Sequence, residues 1–142
     1  MPTRITAVGN LPAALTTFVG RHGDLAEVRR GLGATRLLTL TGAGGVGKTR
    51  LALEVATASA TDFADGVWLV DLAPVRDPAL VANATATALG VPDLGARPIT
   101  DQLAVFLAHR SPLIVLDNCE HLIDACAELV HALLSASPSC AF

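Results

Sequence analysis

Apolar positions in this chain follow two different spacings. Arg36–Thr41 (RLLTLT), Val67–Leu72 (VWLVDL) and Leu113–Asp117 (LIVLD) are short, dense apolar runs. Such runs predict strands buried on both faces, near 37–41, 67–72 and 113–117. Between them the apolar residues are spaced as on one side of a helix. Lys48–Ala60 carries Leu51, Ala52, Val55 and Ala56 at that spacing. Asp24 predicts the cap of a short helix, Leu25–Gly31, stopped by Gly31 and Gly33. Asp77-Pro78 predicts another helix start, an N-cap acid followed by proline in the first turn, running to Leu89 and stopping at Gly90. Residues 90–98 read as a loop. Thr100 predicts the cap of a helix over Asp101–His109, and a last helix covers Leu122–Ser135.

Strands alternating with helices predict parallel strands joined by crossovers, hence an α/β layered sheet. The first 23 residues are broken by Pro2, Gly9, Pro12, Gly20 and Gly23. They read as a lead segment, which leaves residues 24–142 as the domain proper.

Composition narrows the class. Hydrophobic residues make up 51% and charged residues 16% of the 142, which argues against disorder. Ile5–Gly20 is uncharged and follows Arg4, but Gly9, Asn10 and Pro12 interrupt it; it is not read as a signal peptide. No uncharged apolar run approaches the roughly 18 residues of a spanning helix, so no membrane partner is expected. The formal net charge is −3, and Lys48 is the one lysine. Clustered positive charge is missing, so direct nucleic-acid binding by this segment is not expected. Three cysteines, Cys119, Cys126 and Cys140, leave one unpaired in any disulfide scheme, which suits a reducing cytoplasm.

The chemistry gathers where strands end. Gly42-Ala-Gly-Gly-Val-Gly-Lys48-Thr49 matches G-x-x-x-x-G-K-[ST] in full, between a predicted strand and a predicted helix. A loop of inward-pointing backbone N–H groups makes a nest for phosphate. Gly42, Gly44, Gly45 and Gly47, with Val46 between them, keep it narrow and permit unusual φ/ψ. The next helix points its positive end at the anion. Lys48 can reach the terminal phosphates, Thr49 can offer a hydroxyl to Mg2+, and Arg50 is a further candidate phosphate contact. Asp117 ends an apolar strand, which would carry its carboxylate to the sheet edge above the phosphates as a second Mg2+-holding group. Asn118 can orient water but is a poor base. Glu120 could act on water or could sit in a first helical turn, favoured by the dipole. Asp71 ends the second strand as Asp117 ends the third, and reads first as a turn acid. The spacing of Cys119, His121, Cys126 and His131 is not a common zinc pattern.

FVGR at 18–21, LLTLTGAGGVGKTRLALEVA at 37–56, FADGVWLVDLAPVRDPALV at 63–81 and LIVLDNCEHL at 113–122 together resemble the STAND class of signal-transducing ATPases. The likeness is strongest to the nucleotide-binding domain of large bacterial LuxR-type transcriptional regulators. It implies a P-loop NTPase-like three-layer α/β/α fold and an ATP/ADP switch with slow hydrolysis. It also implies that Phe18-Val19-Gly20-Arg21 lies against the nucleotide, with Val19 and Arg21 as binding residues. Asn after the metal-holding Asp, as in Asp117-Asn118, is frequent in that class. In that fold the strand carrying the glycine loop is flanked by a fourth and a fifth strand. The resemblance implies that both are encoded after Phe142 and that the chain is the N-terminal part of an incomplete domain. The strand at 37–41 would then lack both neighbours, or pair with that at 113–117.

The reading is an ATP/ADP-binding, Mg2+-dependent switch module of a cytoplasmic signalling or transcriptional regulator. Lys48, Asn118 and Glu120 are its candidate catalytic groups, and self-association is a possible property of a longer parent. The alternatives are a small-molecule kinase or other phosphotransferase, and a non-catalytic interaction fragment.

Overall fold

A computed structural model describes residues 9–11, 22–40 and 47–142, with His22 and Asp24 described by backbone alone. Five α-helices and two strands occupy these residues: α1 His22–Ala34, α2 Lys48–Ala58, β1 Val67–Asp71, α3 Val81–Leu89, α4 Ile99–Leu107, β2 Leu113–Asp117 and α5 Ile123–Ala136. Single 3-10 turns at Pro78–Leu80 and Glu120–Leu122 lead into α3 and α5.

β1 and β2 pair in parallel, Val67 opposite Leu113 through to Asp71 opposite Asp117. The crossover between them carries α3 and α4, as the alternating pattern predicts. Alternate strand residues enter different apolar clusters, because successive side chains leave a strand on opposite faces. Val70, Ile114 and Leu116 join Leu103, Leu107 and Leu133 of α4 and α5. Val67, Leu113 and Val115 instead join Ala56 of α2. Burying residues such as Ile114 and Leu133, both 0% exposed, stabilises by about 1.5–3 kcal/mol per large side chain.

The free edge of β1 is covered. Gly9 bridges Val67, and the Asn10 carboxamide accepts from Leu69 N–H at 2.6 Å while donating to Leu69 C=O at 2.9 Å. Gly9 has φ 139, and a Cβ there would come within 1.9 Å of the Val67 oxygen. Only glycine permits this approach. Covering the edge removes an unpaired ladder.

Three sequence expectations are corrected. Residues 37–40 are not a strand. Their neighbour is the chain's own tail: Leu38 N–H donates to Phe142 O at 3.0 Å and Phe142 N–H to Arg36 O at 2.8 Å. Two such bonds do not build a ladder, and Thr41 lies outside the described residues. Nor does this segment pair with β2. The tail lies against β2, with Leu113 bridging Ala141 in parallel and Ile114 N–H donating to Ala141 O at 2.9 Å. Finally, caps move. α1 runs from His22 to Ala34, so Asp24 lies inside it and neither Gly31 nor Gly33 stops it. α4 starts at Ile99 behind Pro98 rather than behind Thr100, because the Pro98 carbonyl already accepts from Asp101 and Gln102. Asp77 does cap its turn, accepting from Ala79 N–H at 2.9 Å, and Gly90 ends α3 with φ 74. Among the described residues no helix is long and apolar enough to cross a membrane.

Candidate nucleotide site

Gly47 stands at the N-cap of α2 with φ 78 and ψ 28. This left-handed conformation is strained for any residue with a Cβ. Its carbonyl accepts from Leu51 N–H at 2.9 Å, so helical bonding begins at this glycine. The first turn therefore presents backbone donors and the positive end of the helix together with Lys48 and Thr49.

β2 brings the acid. Asp117 is its last residue, and the Thr49 hydroxyl donates to Asp117 Oδ1 at 3.1 Å. Two oxygen groups from separate elements thus converge. A hydroxyl and a carboxylate are hard donors of the kind Mg2+ takes, so the pair fits that ion and would hold it from two sides. Lys48 Nζ lies 3.5 Å from Glu120 Oε1. A hydrogen bond from its own backbone N–H holds the Glu120 carboxyl below its usual range; desolvation opposes this, and Lys48 reinforces it. Glu120 is exposed, in the 3-10 turn before α5.

Asn118 follows Asp117 with φ 57, a left-handed position that asparagine tolerates better than most residues. Its Nδ2 donates to Asp71 Oδ1 at 2.8 Å and to Asp117 Oδ2 at 3.4 Å. Asp71 Oδ1 also accepts from Ala73 N–H at 3.0 Å. The bond from Ala73 first, then that from Asn118, lowers the Asp71 pKa. Asp71 is thus both the turn acid its position suggests and a neighbour of the Asp117 group. Arg50, the further phosphate candidate, directs Nε to Glu54 Oε1 at 3.3 Å along α2. His121 Nε2 lies 2.7 Å from Val75 O, tying the turn before α5 to the loop after β1.

Lys48, Thr49, Asp117, Asn118 and Glu120 are therefore brought together, and Gly47 sits at their base. Gly42, Gly44, Gly45 and Val46, and Val19 and Arg21 of the FVGR motif, lie outside the described residues. Sequence reasoning missed Arg36. Its guanidinium donates to the carbonyls of Cys140 at 3.1 Å, Leu134 at 3.0 Å and Ser137. It thereby clamps the end of α5 and the tail beside the segment that enters the glycine loop. A lone arginine before an apolar run carries no local signal for such a role.

Comparison with known proteins gives a coherent set of relatives. A family model described as AAA domain matches residues 30–141. A Mycobacterium tuberculosis protein named "Putative HTH-type transcriptional regulator" is 52% identical over 107 residues, covering 75% of this chain and 12% of that protein. An uncharacterized protein of the same organism is 41% identical over 138 residues, covering 97% of this chain and 35% of the relative. Regulatory protein AfsR of Streptomyces griseus is 33% identical over 144 residues, covering 92% of this chain and 14% of AfsR. The chain thus spans a minor part of the length of each. No solved structure gives a significant match.

Proposed function

This chain belongs to the AAA domain family, and from that premise we propose that it is an ATP/ADP-binding switch module of a bacterial transcriptional or signalling regulator of the STAND class. Its domain is residues 24–142, preceded by a lead segment, 1–23, that carries the FVGR motif. The apolar clusters on either side of the β1–β2 pair support a three-layer α/β/α arrangement.

The observation that carries the reading is the 3.1 Å contact between Thr49 Oγ1 and Asp117 Oδ1, beside Lys48 at the start of α2. In this proposal the backbone of 42–47 and the α2 N-terminus cradle the phosphates. Lys48 neutralises charge on them, and Thr49 and Asp117 hold Mg2+. When bound, Mg2+ would screen phosphate charge and fix the geometry of the polyphosphate. The resemblance carried by FVGR at 18–21 assigns Val19 and Arg21 as further nucleotide-binding residues.

Two features favour a switch over fast turnover. Where a base would stand after Asp117, the chain has Asn118, whose amide nitrogen donates to Asp71 and Asp117; a carboxamide cannot take a proton from water. Glu120, the other candidate for acting on water, lies against Lys48. Slow hydrolysis suits a module whose bound state is the signal. The names of the relatives support a regulatory setting; to the proposal itself belong a cytoplasmic location, a DNA-binding part outside this segment and self-association in a longer parent.

The test is titration of the purified chain with ATP and ADP, with and without Mg2+, alongside phosphate release. Binding of both nucleotides with release slower than about one per minute is expected, against the ~1–1000 per second of ordinary enzymes. No binding, or turnover within that ordinary range, overturns the proposal.

A further inference from the structure

Asp71 and Asp117 end adjacent parallel strands in direct register. Neighbouring strands lie about 4.8 Å apart, so two like charges stand side by side at one end of the sheet. Asn118 resolves this. Its left-handed φ of 57 turns the chain as soon as β2 ends, and its Nδ2 donates to both acids, to Asp71 Oδ1 at 2.8 Å and to Asp117 Oδ2 at 3.4 Å. A continuous series of hydrogen bonds results. Ala73 N–H donates to Asp71 at 3.0 Å, Asn118 bridges Asp71 and Asp117, and Thr49 donates to the other oxygen of Asp117 at 3.1 Å.

We propose that Asp71 is a positioning residue of the nucleotide site, acting through Asn118 to set the orientation of the Asp117 carboxylate; this rests on the Mg2+-nucleotide reading above. Asp71 fixes one end of the carboxamide. The shorter of the two Asn118 bonds goes to Asp71, so Asp71 anchors the amide and Asp117 is steered by it. With Oδ2 steered, Oδ1 is left directed at Thr49. A carboxylate free to rotate would lose that alignment, and groups that orient a metal-holding carboxylate typically change metal affinity by about 10–100-fold when removed.

The substitutions separate this role from the turn that Asp71 also caps. Asp71→Ala removes both contacts. Asp71→Ser keeps an acceptor for Ala73 N–H but is too short to reach Asn118. Asp71→Asn keeps an acceptor oxygen for both. Nucleotide affinity is measured across a Mg2+ titration, and the Asn118 side-chain NH2 resonances are followed by 15N NMR without nucleotide. Asp71→Ala and Asp71→Ser are expected to raise the Mg2+ concentration for half-effect about tenfold and to shift the Asn118 NH2 signals. Asp71→Asn is expected to restore most of both. In an Asn118→Ala background, Asp71→Ala should add nothing, because the effect passes through Asn118. Unmoved Asn118 NH2 signals in Asp71→Ala overturn the proposal, as does an equal Mg2+ shift with and without Asn118. Shifted NH2 signals in Asp71→Ala, together with a wild-type chain that binds no nucleotide, overturn the nucleotide reading and with it a role in that site, while the Asp71–Asn118 contact stands.

Discussion

Thr49 and Asp117, 68 positions apart in the chain, meet with 3.1 Å between hydroxyl and carboxylate. The contact is a product of topology. Gly47 turns the chain into α2 so that Thr49 falls in the first helical turn, and β2 ends on Asp117 beside it. Neither element places a functional group alone; the crossover through α3 and α4 brings β2 beside β1 with its C-terminal end at the same level. In open α/β sheets ligands bind at the carboxyl ends of the strands, and the Thr49–Asp117 contact lies at the carboxyl end of β2.

Replacing Lys48 by Ala is expected to weaken nucleotide binding at least about tenfold, or ~1.4 kcal/mol. Lys48 is the one lysine of the chain, so no second ammonium group substitutes for it. Release from Glu120, 3.5 Å away, accompanies binding. Isothermal titration of wild type and variant checks this, and equal affinities would remove the phosphate role.

Thr49→Ala separates metal from phosphate contributions. With Mg2+ absent its nucleotide affinity should stay within about threefold of wild type, a difference under ~0.7 kcal/mol. With Mg2+ present the enhancement should largely vanish. Asp117→Asn should act in the same direction, since it replaces the ionised acceptor of the Thr49 bond with a neutral one. The comparison is two nucleotide titrations per variant, in chelator and in excess Mg2+. Losses of equal size in both conditions would assign Thr49 to phosphate binding instead.

Much of this geometry is legible in the chain, for a specific reason. The runs VWLVD and LIVLD are apolar up to a terminal acid, and they are β1 and β2. Lys48 as the first helical residue follows from a glycine turn meeting an apolar helical stripe. What local pattern cannot reveal is who stands beside whom. The tail Ala141–Phe142 has too few residues to show a period, yet it lies against β2 and pairs with Arg36 and Leu38. That placement answers the question of what neighbours the 37–40 segment, which apolarity alone reads as a strand. The Asp71–Asn118 bond is likewise a property of strand register. Thr100 loses its expected capping role because Pro98 sets the start of α4 two residues earlier than a threonine-based reading allows.

Leu133→Ala tests the larger apolar cluster. Leu133 is 0% exposed in α5 and packs in the cluster that holds Val70, Ile114, Leu103 and Leu107. Removing three carbons from such a position costs about 2–5 kcal/mol, the transfer loss plus the cavity left behind. Chemical denaturation should show a lower midpoint with unchanged slope. Because β1 and β2 both contribute to this cluster, nucleotide affinity should also fall under conditions where the variant is partly unfolded, and recover on cooling. A shift of less than about 0.5 kcal/mol, the size typical of surface sites, would mean that Leu133 is not packed as described.

The buried thiols report on the tail. Desolvation raises Cys140, 0% exposed, to about 12 against an ordinary 9.0, with Arg36 opposing. Desolvation also raises Cys126 to about 11, and the neighbouring Cys119 adds to the shift. The thiolate is the reactive form, so at pH 8 an alkylating reagent should modify the partly exposed Cys119 first. Cys126 and Cys140 should react only after unfolding. The same shifts fix the sign of the alkaline response. Unfolded thiols lose protons near 9, while the folded ones keep them until about 11 and 12. Between those values the unfolded state binds fewer protons, so stability is complete below pH 9 and falls as pH rises. Denaturation midpoints measured from pH 8 to 10.5 should show this fall, and Cys140→Ala should reduce it to the share that Cys126 contributes. Rapid modification of all three thiols at pH 8 would show that the tail leaves β2 readily, and would detach Phe142 from Arg36 and Leu38.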